Sequence, residues 1–177
     1  MYIVKGDENK VKQSTVRPTD DEIEHTVKIY SNSLFKLCFT LLCNRCDAED
    51  AVSDTFFKYI TKSPVFRDAE HQKAWLLHVA VNTCKDMKKF RFKHETINFD
   101  DIHNIAQTEP ERNILDEVLH LPDKYKKVIH LHYIEGYQTK EIAEILSISP
   151  AAARKRLQYA RDLLKLEYGK GDSDERA

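Results

Sequence analysis

The stretch Gly136–Leu164 reads GYQTKEIAEILSISPAAARKRLQYARDLL and decides the fold of this chain of 177 residues. Its first half predicts a short amphipathic helix, which Ser147 and Ile148 interrupt. Ser149 can cap a second helix, and Pro150 suits the first turn of that helix, where a missing N–H leaves no hydrogen bond unmade. The stretch therefore predicts a helix-turn-helix.

The second of these helices has one apolar side and a basic remainder. The apolar side carries residues spaced by four, three and four: Ala153, Leu157, Ala160 and Leu164. The other sides carry Arg154, Lys155, Arg156 and Arg161. A capped basic helix after a tight turn is what docking in the major groove of DNA requires. A helical hairpin with a solvated basic face would show the same pattern.

Composition limits the classes of protein to which the whole chain can belong. Gly and Pro number only four and five, and no strand-like alternation is present, so we expect an all-α fold. The net charge of −1 gives no basic field over the whole molecule, so nucleic-acid binding must rest on local clusters. No apolar run reaches the ~20 residues of a membrane span, and the N-terminus lacks the apolar core of a signal peptide. We expect a cytoplasmic protein without membrane insertion, whose four cysteines are free thiols.

Residues 19–92 predict a first domain of three amphipathic helices, after a flexible extension at residues 1–18. Thr19 or Asp20 can cap the first helix, and Asp47 is predicted to cap the second. The third is predicted to run from about Gln72 to Arg91, after a loop. The predicted buried side of the second helix consists of Ala51, Ile60 and either Phe56 or Phe57.

An acidic patch is predicted near the start of the second helix. Four acids fall within eight residues, with a serine between the last two: Asp47, Glu49, Asp50, Ser53 and Asp54. A solvated helix face accounts for such a patch on charge alone. A docking site for a basic partner accounts for it as well.

The third helix ends in a basic and aromatic segment. Residues 85–93 hold five basic residues and one acid, with Phe90 and Phe92 among them. One side of this helix carries His78, Asn82, Lys85 and Lys89. Such a mixture suits single-stranded nucleic acid, whose bases stack on aromatic rings and whose phosphates pair with cations. A solvated helix C-terminus would also favour these cations.

Residues 93–108 are polar and somewhat acidic, and they predict a linker to a second helical domain at residues 109–168. Within that domain, Asp123 is predicted to cap a helix that Gly136 ends. The predicted inner side of this helix consists of Tyr125, Val128, Ile129, His132 and Tyr133. Residues 169–177 are predicted to be a frayed tail.

Four segments, in this order, resemble the sigma-70 family, and specifically its two-domain extracytoplasmic-function (ECF) sigma factors. They are DAEDAVSDTFFKYI (47–60), AWLLHVAVNTCKDMKK (74–89), LPDKYKKVIHLHYIEG (121–136) and EIAEILSISPAAARKRLQYAR (141–161). The resemblance implies a non-enzymatic protein that binds RNA polymerase core enzyme and directs it to promoters. It implies that the first domain reads and melts the −10 element, and that the second reads the −35 element as duplex.

The resemblance also implies a core-polymerase site on the acidic patch. Asp50, Ser53 and Asp54 fall where the family docks on the coiled coil of the polymerase β′ subunit, and Asp47 and Glu49 extend the expected site. The family usually has Gln at the position of Ser53, so one polar contact is expected to be weaker here. The implied partners are the β′ and β subunits of core polymerase, promoter DNA and an anti-sigma factor.

For DNA, the resemblance implies two sets of residues. The loop from Phe66 to Lys73 falls where the family captures a flipped-out base, and the third helix falls where it contacts the non-template strand. The expected −10 residues are Phe66, Arg67, His71, Lys73, Asn82, Lys85 and Lys89. The expected −35 residues are Ser149, Ala151, Ala152, Arg154, Lys155 and Arg156. The family often has Gly-Thr-Val before a basic residue where this chain has three alanines, whose methyl groups could meet thymine methyls.

Two other classes of protein fit parts of the sequence. Cys43 and Cys46 form a CxxC motif, which with Cys38, Cys84 and His78 could indicate a metal or thiol sensor or a redox enzyme. Zinc needs four convergent ligands, and Cys38 and Cys84 fall at or beside core positions, so we expect no metal site and no cofactor. The other alternative is a helix-turn-helix regulator that binds duplex DNA without polymerase.

Overall fold

The computed structural model describes residues 17–91 and 117–171, and these residues form helices in two compact units. The prediction of an all-α fold with two helical domains is confirmed. The predicted linker at residues 93–108 lies outside the described residues, as do most of the N-terminal extension and the last six residues of the tail. No described helix is long and apolar enough to cross a membrane.

Helix α1, Asp20–Leu42, begins with a reciprocal cap. The Thr19 N–H donates to the Glu22 carboxylate over 2.8 Å, and the Glu22 N–H donates to the Thr19 hydroxyl over 3.3 Å. Of the two caps that the sequence allowed, Thr19 is therefore the one used, because Glu22 stands three residues later and completes a capping box. The Thr19 N–H and the Thr19 hydroxyl, which donates to the Glu22 carboxylate over 2.9 Å, lower the pKa of this exposed carboxyl.

Helix α2, Arg45–Lys62, begins three residues earlier than a cap at Asp47 predicts. Asn44 caps it, since its side-chain oxygen accepts the Asp47 N–H over 3.0 Å. The prediction that Asp47 is the cap is therefore wrong. On the buried side Phe56 is the residue used, while Phe57 is 65% exposed.

Helix α3, Ala69–Arg91, also begins before its predicted start. The Asp68 carboxylate accepts the His71 N–H over 2.7 Å, which is the geometry of an N-cap. His71 and Lys73 therefore lie in the first turns of the helix and not in the preceding loop. Helices α1, α2 and α3 each pack against the other two, so the first unit is a three-helix core.

In the second unit, a helical segment at residues 117–120 precedes helix α4, Asp123–Ile129, which continues as a π-helical turn, His130–Ile134. Pro122 occupies the cap position of α4 without a side-chain hydrogen bond, so the predicted cap at Asp123 is wrong. In the π turn the Glu135 N–H reaches the His130 carbonyl. This wider turn shifts the helical register, so His130 is buried and Tyr133, predicted to face inward, is 59% exposed.

The helix-turn-helix consists of helix α5, Thr139–Ile145, and helix α6, Pro150–Gly171. Gly136, at a φ of +80°, ends the preceding turn as predicted, and Ser147 takes a φ of +52° between the two helices. The Ser149 hydroxyl accepts the Ala152 N–H over 3.1 Å, so its predicted role as the cap of α6 is confirmed. The side chains that fill this part of the core are Ile142, Ala143, Ala153, Leu157 and Ala160.

Candidate nucleic-acid and protein interfaces

The outer side of α2 presents carboxylates one turn apart. Asp50 and Asp54 are exposed, and the Glu49 carboxylate lies 3.0 Å from Nε of Arg45 in an exposed ion pair. Asp47, predicted to belong to this patch, is only 3% exposed, because it follows the cap and turns towards the core. The structure therefore assembles a smaller patch than the sequence indicated.

Two further residues define the chemistry of this α2 face. The Ser53 hydroxyl donates to the Glu49 carbonyl over 3.0 Å, so it is engaged by its own helix. Phe57 lies one turn beyond Ser53 with its ring largely in solvent. The sequence could not single out Phe57, because Phe56 and Phe57 fit the buried position equally well. The face combines carboxylates with one exposed aromatic ring, which suits a partner surface that is basic with an apolar spot.

Phe66, in the loop between α2 and α3, is held by other aromatic rings. Its ring stacks on Tyr59 with centroids 6.2 Å apart, and it meets His71 and Trp75 edge-on at 5.6 Å and 5.7 Å. Phe66 remains half-buried, so part of its ring is accessible. An accessible ring that is fixed by its neighbours can stack on an unpaired base.

The residues around Phe66 show what the rest of this loop offers. The Arg67 N–H approaches Nδ1 of His71 at 3.4 Å, and the Arg67 residue itself is exposed. Lys73 is half-buried in α3 and is two residues, or about 200°, away from His71 on the helix. Phe66, Arg67 and His71 are therefore brought together, whereas Lys73 lies on another side of α3.

One side of α3 forms a line of polar and basic groups. The residues on it are spaced by seven, four, three and four positions: His71, His78, Asn82, Lys85 and Lys89. Asn82 Nδ2 lies 2.9 Å from Nε2 of His78, and Lys89 forms an exposed 3.3 Å pair with Asp86. At 1.5 Å per residue the line is about 27 Å long. It begins at the Phe66 cluster and ends near Phe90, which is 94% exposed.

The start of α6 presents the residues predicted for duplex DNA. Ala151, Arg154 and Lys155 are exposed, whereas Ala152 and Arg156 are half-buried. The Lys155 ammonium lies 5.7 Å from the centre of the Tyr159 ring, one turn along the helix. The first two turns of α6 therefore offer two cations and small side chains, and Tyr159 is an addition that the sequence did not single out.

Arg161, on the same helix, has a different environment. Its Nε donates to the Tyr133 hydroxyl over 2.7 Å, and its Nη2 lies 3.2 Å from Nε2 of His132. The Nδ1 of His132 lies 2.9 Å from the Tyr137 carbonyl. A carbonyl only accepts, so Nδ1 carries the hydrogen and Nε2 accepts from Arg161. Arg161 thus joins α6 to the π turn.

The four cysteines are free thiols, of which Cys38 and Cys84 are buried and Cys46 is exposed. A hydrogen bond with Cys84, together with burial, raises the pKa of the Cys38 thiol well above its ordinary value. Among residues 17–91 and 117–171, no three His, Cys, Asp or Glu side chains converge as they would around a metal ion. The described residues give the metal-sensor alternative no support.

Comparison with known proteins matches each helical unit to a family model. Residues 26–91 match the model described as Sigma-70 region 2, and residues 111–164 match the model described as Sigma-70, region 4. The ECF RNA polymerase sigma factor SigM of Bacillus subtilis is 29% identical over 162 residues, which cover 86% of this chain and 99% of SigM. SigW of the same organism is 28% identical over 168 residues, covering 82% and 88% of the two chains.

A sigma factor from another organism and one solved structure agree with these matches. The ECF RNA polymerase sigma-E factor of Haemophilus influenzae is 28% identical over 158 residues, covering 78% of this chain and 83% of that protein. The structure of CnrH in complex with the cytosolic domain of CnrY is similar with a TM-score of 0.64. It is 21% identical and covers 86% of this chain and 90% of the solved chain, so it supports the fold.

Proposed function

Because this chain belongs to the sigma-70 family as an ECF RNA polymerase sigma factor, which initiates transcription at promoters, we propose which of its residues carry each step. The first domain, residues 19–92, holds the opened −10 element and docks on core polymerase. The second, residues 109–168, reads the −35 duplex. Residues 93–108 link the two. The observation that carries this assignment is the line on α3 that joins the Phe66 cluster to Asn82, Lys85 and Lys89.

At the −10 element, the line on α3 holds the non-template strand after the bases separate. Each unstacked base costs a few kcal/mol, and stacking on an aromatic side chain returns about 1–3 kcal/mol per base. Phe66 takes the captured base, while Arg67 and His71 stand beside it. Asn82 offers an amide to a base edge or phosphate, and Lys85 and Lys89 pair with phosphates. Lys73 contributes less to strand binding, because it lies on another side of α3 from this line.

At the −35 element, the first two turns of α6 enter the major groove. Ser149 caps this end of the helix. The small side chains of Ala151 and Ala152 let the helix approach the base edges closely. Arg154 and Lys155 are successive residues, about 100° apart on the helix, so they address different positions. The Arg154 guanidinium makes a bidentate hydrogen bond to a guanine edge, and Lys155 contacts a phosphate. Arg156, which is half-buried, positions the helix or touches the backbone.

Core polymerase docks on the exposed face of α2. Asp50 and Asp54 pair with cations of the β′ coiled coil, and Phe57 adds apolar contact area between them and the end of the helix. Glu49 contributes less, since its carboxylate already pairs with Arg45. Asp47 takes no direct part because it is buried.

The polymerase-docking and DNA-binding faces are also the surfaces that a protein partner would cover in order to restrain this sigma factor. CnrH, which shares the fold, is known in a complex with the cytosolic domain of CnrY. We propose that this chain likewise has an anti-sigma partner, which covers its polymerase-docking and DNA-binding faces until a signal releases it. Its place of action is the cytoplasm, where polymerase and promoters are.

Transcription in vitro with core polymerase on a genomic promoter library tests the assignment. The holoenzyme is expected to initiate at a defined set of promoters that share −10 and −35 elements, whereas core polymerase alone does not. A regulator that binds duplex DNA without polymerase would shift promoter fragments by itself and would leave core polymerase inactive on them. That second outcome would overturn the proposed roles of α2 and α3.

A further inference from the structure

Three polar side chains from three different helices meet in the interior of the first unit. The Thr26 hydroxyl, on α1, donates to the hydroxyl oxygen of Tyr59, on α2, over 3.2 Å. The side-chain amide of Gln72, on α3, donates to the Thr26 hydroxyl over 3.2 Å and to the Tyr59 hydroxyl over 3.1 Å. Thr26 and Tyr59 are buried, so water does not compete for these bonds. The three polar atoms form a closed triangle.

This triangle holds the ring that lies against Phe66. The Tyr59 ring stacks on Phe66 with an angle of 22° between their planes, while the Tyr59 hydroxyl is fixed at the other end of the ring by Thr26 and Gln72. Gln72 is also the neighbour of His71, which meets Phe66 edge-on. The triangle therefore fixes Tyr59, the ring that stacks on Phe66, and holds the helical turn that carries His71.

Among the other buried threonines of this unit, Thr83 on α3 accepts a hydrogen bond from Lys58 on α2 over 2.8 Å, whereas Thr40 and Thr55 donate to carbonyls of their own helices over 2.8 Å and 2.7 Å. Thr26 is different because it bonds to both of the other helices, α2 and α3. The start of α3 is fixed in the same region by Tyr30, whose hydroxyl donates to the Ala69 carbonyl over 3.3 Å.

We propose that Thr26, Tyr59 and Gln72 are positioning residues for the single-strand site, which hold the ring of Phe66 in the orientation that receives an unstacked base. This inference rests on the proposed function, in which Phe66 captures a −10 base. A ring that is already immobile loses less freedom when a base stacks on it, so preorganisation strengthens binding without adding a contact. The residues act through Phe66 and touch no DNA themselves.

Two matched substitutions separate the hydroxyl of Thr26 from its bulk. Thr26→Val removes the hydroxyl and keeps the branched shape, whereas Thr26→Ser keeps the hydroxyl. Tyr59→Phe is a second, milder variant, because it keeps the stacked ring and removes only its polar end. Thr55→Val is the control, since it removes a buried hydroxyl that bonds within its own helix.

The experiment measures binding of each holoenzyme to a single-stranded −10 oligonucleotide. An abasic site is placed at each position in turn, and the position whose loss weakens wild-type binding most marks the captured base. The quantity of interest is the ratio of the two affinities, for intact and abasic strands. Thr26→Val and Tyr59→Phe are expected to shrink this ratio by about threefold to tenfold, the range for one or two hydrogen bonds. Thr26→Ser and Thr55→Val are expected to retain it, and all variants should bind core polymerase as the wild type does.

The outcomes separate this inference from the function on which it rests. If wild-type holoenzyme shows no position that is sensitive to an abasic site, base capture by Phe66 is wrong and the positioning role fails with it. If the wild type shows such a position and both Thr26→Val and Tyr59→Phe keep the full ratio, only the positioning role is wrong. A loss that is equal for intact and abasic strands would assign the triangle to stability alone and would likewise overturn it.

Discussion

Arg161 and Tyr133 are joined twice: Nε of Arg161 donates to the Tyr133 hydroxyl over 2.7 Å, and the guanidinium carbon lies 5.6 Å from the centre of the Tyr133 ring. Tyr133 belongs to the π turn and Arg161 to the second half of α6. The pair therefore ties the second helix of the helix-turn-helix to the element before that motif, even though both residues are exposed.

Loss of this tie is expected to lower the stability of the second unit. Arg161→Ala removes a charged hydrogen bond and a cation–π contact at an exposed site, so the free energy of unfolding should fall by about 1 kcal/mol. Tyr133→Phe keeps the ring and should cost about half as much. Thermal unfolding checks both, with Arg154→Ala as the exposed control that should leave stability unchanged. Equal stability of Arg161→Ala and the wild type would show that the tie contributes nothing.

Reversal of charge on the α2 face is expected to impair assembly of holoenzyme. Asp50→Arg combined with Asp54→Arg should weaken core binding by about tenfold or more, because like charges then face each other across the interface. Asp21→Arg with Glu24→Arg changes the net charge equally on α1 and serves as the control. Titration of labelled core polymerase measures the affinity, and circular dichroism reports the fold. Wild-type affinity in a well-folded α2 variant would contradict the docking assignment.

Removal of polar groups from the α3 line is expected to hinder melting. Asn82→Ala and Lys85→Ala should each reduce open-complex formation on duplex promoters by about threefold to tenfold, since each loses one contact to the separated strand. A pre-melted bubble should partly rescue both, because unstacking has already occurred. Lys28→Ala, on the exposed side of α1, should behave as the wild type. Equal defects on duplex and bubble templates would argue against a role in melting.

Substitutions at the start of α6 are expected to separate base readout from phosphate contact. Arg154→Ala should cost about 1–3 kcal/mol and relax the preference at one −35 position. Lys155→Ala should weaken all sequences alike and lower the salt slope by about one unit. Selection from a promoter library at two salt concentrations measures both effects. If Arg154→Ala left the preference at every −35 position unchanged, its assignment to a base edge would be wrong.

The cysteines are expected to differ in reactivity towards an alkylating reagent. The thiolate is the reactive form, and its fraction falls as the pKa rises. The hydrogen bond with Cys84 and burial raise the pKa of Cys38, so Cys38 should resist labelling in the folded protein at pH 8, whereas exposed Cys46 should react. Mass spectrometry of the alkylated protein, labelled before and after unfolding, gives the order in which the cysteines react. Labelling of Cys38 as fast as Cys46 in the native state would contradict this environment.

Sequence reasoning located the helix-turn-helix because one set of residues satisfies every local rule. Ser149 and Pro150 together define the start of α6, and Gly136 defines the end of the turn before it. The predicted cap of α4 is wrong because Pro122, which makes no side-chain hydrogen bond, holds the cap position. The predicted cap of α2 is wrong because two residues compete for it. Asn44 and Asp47 can both cap, and Asn44 wins since the chain leaves α1 at Cys43 in a left-handed conformation that places Asn44 at the helix start.

Other features depend on register and contact, which periodicity does not determine. The π turn adds a residue to one turn of the helix. A regular period of 3.6 residues therefore predicts that Tyr133 faces inward, whereas the structure exposes it. Phe56 and Phe57 have equal hydrophobicity, and only packing against α1 and α3 decides which is buried. The triangle of Thr26, Tyr59 and Gln72 joins residues up to 46 positions apart, and no local pattern predicts it.

The hydrogen bond from Ser53 to its own helix has a consequence for competition among sigma factors. Where the family usually carries a glutamine, the Ser53 hydroxyl of this chain donates to its own helix, so the proposed docking face offers mainly carboxylates and the Phe57 ring. Attraction between exposed charges is screened within about 8–10 Å at physiological ionic strength. On the proposed docking face, capture of core enzyme from a limited pool is therefore expected to weaken as the salt concentration of the cell rises. A rival that docks through amide hydrogen bonds would lose less of its share during osmotic upshift.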